Sequence, residues 1–312
     1  MNLSRRHLLG LALASPLALS HAASAADPLT ILVPYPNGAF EALMEQIAQP
    51  LGAALDRQVV VEQLAAEGGW EALERVRNAG SAPVILADDD LSLAIKQEGG
   101  AHDFSFDTLR PIAKLTDGIS VALIAPVGSD QASWQGLKAS TKALRLATTG
   151  SQTAYGVARR MLAPLLSTVL EPVPQSGPKT IYDAVTSGAA DLGIVTTNLL
   201  EGFNAENAGT GAVPVLTFGA ARSPRYAEVP TLAEIAGDDK MDFTIALGLY
   251  GSADMDPALA TSILQALQTI QSSPEVLDNP LAKDFPMTVN PPEVLQAAFD
   301  RDVRVLKRLS AD

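Results

Sequence analysis

The sequence predicts an α/β protein of two lobes, built from mostly parallel sheets flanked by helices. Three observations lead there. Strand-like and helix-like apolar periods alternate along most of the chain, and such alternation implies parallel strands with helices on their faces. The chain has 312 residues, enough for roughly two domains once a leader is set aside. A mainly helical tail follows a second set of β/α units, which suggests that the chain returns to pack on the first.

Residues 1–25 read as the leader. Arg5, Arg6 and His7 make a basic start, Leu8 to Leu19 is a short apolar run, and Ala23-Ser24-Ala25 is a small-residue cleavage site. This is the anatomy of a secretory signal cleaved near Ala25. Its apolar run falls short of the roughly 20 residues that span a bilayer. Ser4-Arg5-Arg6-His7-Leu8-Leu9 also looks like a twin-arginine signal, with His7 where Phe is usual, so two export routes stay open. Either route predicts a periplasmic protein.

The mature chain opens on the stretch that organises the rest. Leu29–Val33 reads as a buried strand that stops at Pro34-Tyr35-Pro36-Asn37-Gly38, and an amphipathic run starts at Phe40 and ends at Leu55. Strand, tight loop and helix N-terminus form a corner that suits an anion, because the first N–H groups of a helix have no partner within it. Ligands in open α/β sheets bind at the carboxyl ends of strands. Gln58–Val61 is the next strand, Glu67-Gly68-Gly69 a turn, Trp70–Asn78 a helix, and Pro83–Ala87 a strand that runs into Asp88-Asp89-Asp90. Leu109–Leu115 and Ile119–Ala125 are extended segments joined by Thr116-Asp117-Gly118. Ser133–Ser140 reads as a short helix.

Arg145–Ala147 is a strand that enters Thr148-Thr149-Gly150-Ser151-Gln152-Thr153, and a helix follows over Ala154–Leu166. This is a second corner of the same kind. Thr149, Ser151 and Thr153 offer hydroxyls at its helix N-terminus, with Thr153 a fitting N-cap. Val169–Val173, Asp191–Val195, Val213–Phe218 and Thr244–Leu249 read as strands, and Pro178–Ser187 as a helix. The tail reads as helices over Pro257–Gln271, Pro274–Leu277 and Pro292–Leu309, each started by a proline, whose missing N–H costs nothing there.

Composition removes several function classes. Taking Arg5 and Arg6 from the 22 basic residues leaves 20 against 35 acidic ones, a mature net charge of −15. Such a surface is a poor partner for nucleic acid or an anionic membrane. There is no cysteine, hence no thiolate chemistry, disulfide or Cys-ligated zinc. His102 is the one histidine after the leader, so a histidine triad or zinc site lacks its parts; it reads as an ordinary loop residue. Gly150-Ser151-Gln152-Thr153 lacks the glycines of a nucleophile elbow, and no Walker or dinucleotide pattern appears. Asp88-Asp89-Asp90 lacks the spaced oxygens of a calcium loop. No catalytic residue, cofactor or metal is expected.

Several motifs, in order, resemble one family. Val33-Pro34-Tyr35-Pro36-Asn37-Gly38 resembles the opening loop of the tripartite tricarboxylate transporter substrate-binding proteins, also called Bug proteins. Val59-Val60-Val61-Glu62 with Gly68-Gly69, the run Ala147 to Thr153, and Val173-Pro174 through Gly188 to Asp191-Leu192 follow as theirs do. Arg222-Ser223-Pro224 with Glu228-Val229-Pro230-Thr231-Leu232-Ala233-Glu234 is the most specific match. The resemblance covers essentially the whole mature chain. It implies a two-lobed, Venus-flytrap periplasmic binding protein of type II kind, not an enzyme. It places residues 26–126 plus 248–312 in the first lobe and 127–247 in the second. Small carboxylates bind between such lobes, and the loaded protein delivers to membrane transporter subunits or signals to a sensor kinase. A monomer is the default. The expected contacts are Tyr35, Asn37, Gly38, Thr149, Ser151 and Thr153, with Glu41 and Trp70 behind them.

The departures from the family cluster at the expected cleft. Ala39, Phe40 and Glu41 replace small residues, Gln63 to Glu67 replace an Asn-Arg-Pro-Gly run, and Asp88-Asp89-Asp90 follow the third strand. Glu41, Glu67 and the aspartates would make one wall acidic. A buried carboxylate facing a carboxylate ligand is costly, so the departures point to a zwitterionic, cationic or neutral solute. The same charges would also suit a solvent-facing run, and Glu41 would complement the helix dipole. The eroded loops leave a second function open, an exported sensor or interaction module that has lost transport.

Overall fold

A computed structural model describes residues 27–35, 39–100, 102–206, 211–223, 226–238, 241–278 and 285–311. The leader, Asn37 and Gly38 lie outside the described residues. The elements run β1 (Leu29–Val33), α1 (Ala39–Leu55), β2 (Val59–Gln63), α2 (Trp70–Arg77), β3 (Val84–Asp89), α3 (Asp90–Gly99), β4 (Leu109–Thr116), β5 (Ile119–Pro126), α4 (Trp134–Lys138), β6 (Leu144–Thr148) and α5 (Ala154–Leu162). Then come β7 (Leu170–Pro174), α6 (Pro178–Thr186), β8 (Leu192–Thr196), α7 (Thr197–Glu206), β9 (Ala212–Thr217), α8 (Leu232–Ala236), β10 (Thr244–Ile245), β11 (Leu247–Ser252), α9 (Pro257–Ile270), α10 (Pro274–Leu277), β12 (Met287–Asn290) and α11 (Pro292–Ala311). Among the described residues no helix is long and apolar enough to cross a membrane.

The strands form two sheets. The first has the order β12-β4-β11-β3-β1-β2; the second has β10-β5-β8-β6-β7, with β9 on β5. The expected parallel core is present in each: β1 pairs parallel with β2 and β3, and β6 with β7 and β8. It is extended by antiparallel strands, so both sheets are mixed. The cause is the route of the chain. β4 passes straight into β5 in the other sheet, and β10 into β11, and a strand arriving without a helical crossover need not keep the parallel direction. The run read as one strand over Thr244–Leu249 is two, split at Ala246, one half in each sheet.

β1 lies between β3 and β2, and Leu29, Ile31, Leu32 and Val33 are fully buried, as expected for a parallel strand covered on both faces. The tail packs on the first sheet through aromatic contacts. Phe299 of α11 stacks on Phe106 with centroids 3.8 Å apart, and Phe106 meets Tyr250 of β11 edge-on at 5.8 Å. Next to β1, the turn at Glu67, Gly68 and Gly69 holds three successive left-handed residues. Glycine is required at Gly69 (φ +85°), where a Cβ would also meet Cβ of Pro34 at 2.5 Å. That close approach seats the second loop against the first.

Candidate functional site

The first corner forms where β1 runs out. Tyr35 is half-buried and lies 5.9 Å, ring to ring, from Phe40 at the start of α1. Its backbone carbonyl accepts Nε2 of Gln63 at 3.0 Å, and the same amide donates to Glu41 at 2.7 Å. Glu41 therefore holds the end of β2 beside the loop. Glu67 is exposed. Trp70 stacks on His102 at 4.0 Å and meets Phe104 edge-on at 6.2 Å, which ties α2 to the loop after α3.

The aspartates were expected on a cleft wall or facing solvent; two of them do neither. Asp88 and Asp90 are fully buried. The Tyr35 hydroxyl lies in hydrogen-bond contact with Oδ1 of Asp88 and Oδ2 of Asp89. A phenol has one hydrogen, so it satisfies one carboxylate at a time. Asp89 is half-buried and caps α3 by accepting the Ser92 N–H at 2.6 Å. Burial, then the neighbouring Asp88 charge, pushes Asp89 up to about 7, while burial and both carboxylates raise the Tyr35 phenol well above its usual range. The nearest cation to Asp88 is Lys96, at 3.6 Å.

Asp90 points the other way. One carboxylate oxygen accepts the N–H groups of Leu91 (2.9 Å) and Ala246 (2.8 Å), and the other faces Arg301 of α11 at 3.3 Å. Arg301 also donates to the Thr244 carbonyl (2.7 Å), the Thr244 hydroxyl (3.0 Å), Asp302 (2.9 Å) and Asp242 (3.4 Å). Burial lifts Asp90 to about 6, against the pull of Arg301. These groups surround the Ala246 crossing.

The second corner is built by Thr153. It caps α5, its hydroxyl accepting the Gly156 N–H at 3.2 Å while bonding to the Gly150 carbonyl (2.7 Å) and the Thr149 hydroxyl (2.6 Å). A Cβ at Gly156 would lie 2.3 Å from the Gly150 carbonyl oxygen, so glycine lets this loop fold onto its helix. Ser151 and Gln152 are exposed. Thr148, at the end of β6, keeps a buried hydroxyl with no hydrogen-bond partner among the described residues.

Tyr155, which the sequence left able to face either way, turns inward. Its phenol is pushed up to about 12, chiefly by burial, with Thr196 at the end of β8 and the charge of Asp89 acting on it as well. α5 also packs on α3 and α11, which brings the second corner against the first half. Tyr35 and Asp89 come from the first sheet, Tyr155 and Thr196 from the second. Of the predicted contacts, Tyr35, Thr149, Ser151 and Thr153 stand at these corners, and Trp70 stands aside on His102. Sequence reasoning missed Thr196, Arg301 and Asp302. Only the aspartate run gave a warning.

No family model matches the chain. It is 23% identical over 329 residues to the UPF0065 protein of the tcbD–tcbE intergenic region of Pseudomonas sp. (strain P51), across 99% of this chain and 94% of that one. A TctC solute-binding protein from Polaromonas superposes with a TM-score of 0.75 at 17% identity, over 92% of this chain and 98% of that one. The chain has the fold of the TctC solute-binding proteins, the family its motifs resemble. MatC of Rhodopseudomonas palustris, solved with bound malate, shares the TctC fold with it at a TM-score of 0.68 and 18% identity, over 90% of this chain and 99% of MatC. The corners at Tyr35 and Thr153 are strand-to-helix loops, one from each sheet.

Proposed function

We propose that this chain is a periplasmic solute-binding protein that captures a small organic molecule between two lobes and delivers it to a tripartite tricarboxylate-type transporter. The lobes divide at the two crossings, residues 26–117 with 247–312 and residues 118–246; the first boundary falls before β5 and not at the expected residue 126, because β5 pairs only with strands of the second sheet. The observation that carries the reading is that two strand-to-helix corners, one from each sheet, are brought together by α5 packing on α3 and α11. Contacts come from Tyr35, Asn37 and Gly38 on one side and Thr149, Ser151 and Thr153 on the other. The mechanism is reversible capture and closure, with no bond chemistry.

MatC carries malate, so a carboxylate is the family default. The local charge argues for a different solute here. Among the described residues Lys96 pairs with Asp88, while Asp89 shares the Tyr35 hydroxyl and has no ion pair, and a dianion beside them meets repulsion in a medium that screens poorly. A zwitterionic, cationic or neutral molecule suits the corner better. The test is a thermal-shift screen of the mature protein with dicarboxylates, amino acids, polyamines and neutral aromatics. A solute binding only the folded state at a hundredfold excess over Kd adds about 2.7 kcal/mol. Stabilisation by amino acids or amines is the expected result; stabilisation by dicarboxylates alone would overturn the preference. A second reading, an exported sensor or interaction module, draws support from Tyr35 being engaged by the protein's own aspartates. It predicts no shift with any solute.

A further inference from the structure

The sheets are joined by two crossings, at 116–119 between β4 and β5 and at Ala246 between β10 and β11. These divide the space between the lobes. On the flank of β3, β1, β8 and β6 lies the front cleft of Tyr35, Asp89 and Tyr155. On the opposite flank, toward β12, β9 and β10, lies a rear cavity of about 590 Å³. Gly118 and Ile119 of one crossing line it, with Thr244 before the other, Ala220 beyond β9, Thr197 after β8 and Pro286 before β12. No residue assigned to the front cleft contributes to its wall. Its size falls within the range of small-molecule sites.

The charged groups on this wall are already paired. Arg222 grips both carboxylate oxygens of Glu234 at 2.9 and 3.0 Å. Asp242 accepts the Ala220 N–H at 3.1 Å and faces Arg301 at 3.4 Å. Asp117 lies 3.9 Å from Lys114. Arg222, Glu234 and Asp117 are also solvent-exposed, so their charges are screened and the wall offers an ion no strong unshared counter-charge. The rest of the wall is small apolar surface with the hydroxyls of Thr116, Ser120, Thr197, Ser223 and Thr244 and the amide side chain of Asn198.

The front is closed while the rear stands open. α5 packs on α3 and α11, and a Cβ on Gly99 would sit 3.8 Å from Oε1 of Gln152. Lobes that turn as rigid bodies about two crossings widen the rear as they shut the front. A molecule fitted to the rear volume therefore binds the closed arrangement in preference, and by linkage each site raises the other's affinity by the same factor.

We propose that the rear cavity is a second binding site, for a small uncharged molecule bearing hydroxyl or carbonyl groups, whose occupancy favours closure of the front cleft. This rests on the two-lobed reading above and not on which solute fills the front. The chain lacks cysteine, so spin labels at Glu71→Cys and Lys179→Cys, both exposed near the cleft mouth, report lobe separation without interference. Ala220→Trp and Ala221→Trp fill the cavity from its wall; two variants guard against one misfolding.

The expected result is a shorter label distance in the folded Trp variants with no solute present. In the unfilled protein, 1,2-propanediol should give saturable shifts of the Gly118 and Ile119 amide signals, while acetate and methylammonium should not. The diol should also lower the Kd of a front-cleft solute by about fivefold. An unchanged or longer distance in both folded variants, a preference for either ion, or no saturable shift with the diol would overturn the proposal. If the Trp variants close the lobes and no front solute is found, the transport reading falls and the rear site stands.

Discussion

The carboxylate of Asp90 accepts the Ala246 N–H at 2.8 Å, and the Asp90 N–H is donated to the Ala246 carbonyl at 3.1 Å. One residue at the start of α3 thus satisfies both backbone groups of the residue where the chain changes sheets. Removing the side chain leaves a buried donor without its partner and Arg301 without one of its anions. Asp90→Ala should cost about 3 kcal/mol, with Asp90→Asn milder because the amide oxygen still accepts from Ala246. Urea unfolding of both variants checks the order.

Stability should fall as pH rises from about 4 to 7. Asp89 and Asp90 hold their protons to about 7 and about 6 in the folded state, whereas in the unfolded chain aspartate releases its proton near 3.9. Across that window the folded state binds more protons, so raising the pH favours unfolding. The expected drop in Tm is about 5 °C or more for a chain of this size. The mature net charge adds its own repulsion, so Asp89→Asn is the control: it should flatten the upper half of the window. An unchanged slope in that variant would reject the assignment.

Tyr35→Phe isolates the phenol. Without it, Asp88 and Asp89 face each other with no shared donor. The variant should lose about 2 kcal/mol at pH 8, where Asp89 is charged, and markedly less at pH 5, where Asp89 holds a proton. Melting curves at the two pH values are the measurement, and equal losses would argue against the shared proton.

Thr153 and Ser151 should separate structure from binding. Thr153→Ala removes the α5 cap and should cost about 1 kcal/mol of stability, together with solute affinity. Ser151→Ala removes an exposed hydroxyl and should leave the melting curve unchanged while weakening binding. Titration calorimetry with the solute found in the thermal screen, beside urea unfolding, reads both.

Much of the fold was legible because its strands are short buried runs between turn residues. Leu29–Val33 and Pro274–Leu277 fall where the pattern puts them. α3 was missed because Asp88-Asp89-Asp90 reads as a charge run, although Asp89 is a helix cap and the next turns are buried nearly all round; α7, α8 and β12 were missed as well. The break at Ala246 is invisible in sequence, since an apolar run looks the same whether it stays in one sheet or changes sheets. Thr149, Ser151 and Thr153 announced themselves as hydroxyls at a helix start. Arg301 and Asp302 did not, because in an amphipathic helix a charged pair resembles any solvated face until the fold buries it.

The strand order of the first sheet also sets a timetable. β5 to β10 are continuous in sequence, so the second sheet has all its strands once residue 245 has emerged. The first sheet has to wait, because β11 lies between β3 and β4. Until Leu247–Ser252 arrives, β3 presents an unpaired edge and β4, whose other partner β12 comes later still, has no partner in the sheet, the kind of surface on which chains aggregate. A nascent chain that stalls before residue 247 holds one finished half and one that is open down its middle. The last part of the chain to be synthesised is therefore what seals the first.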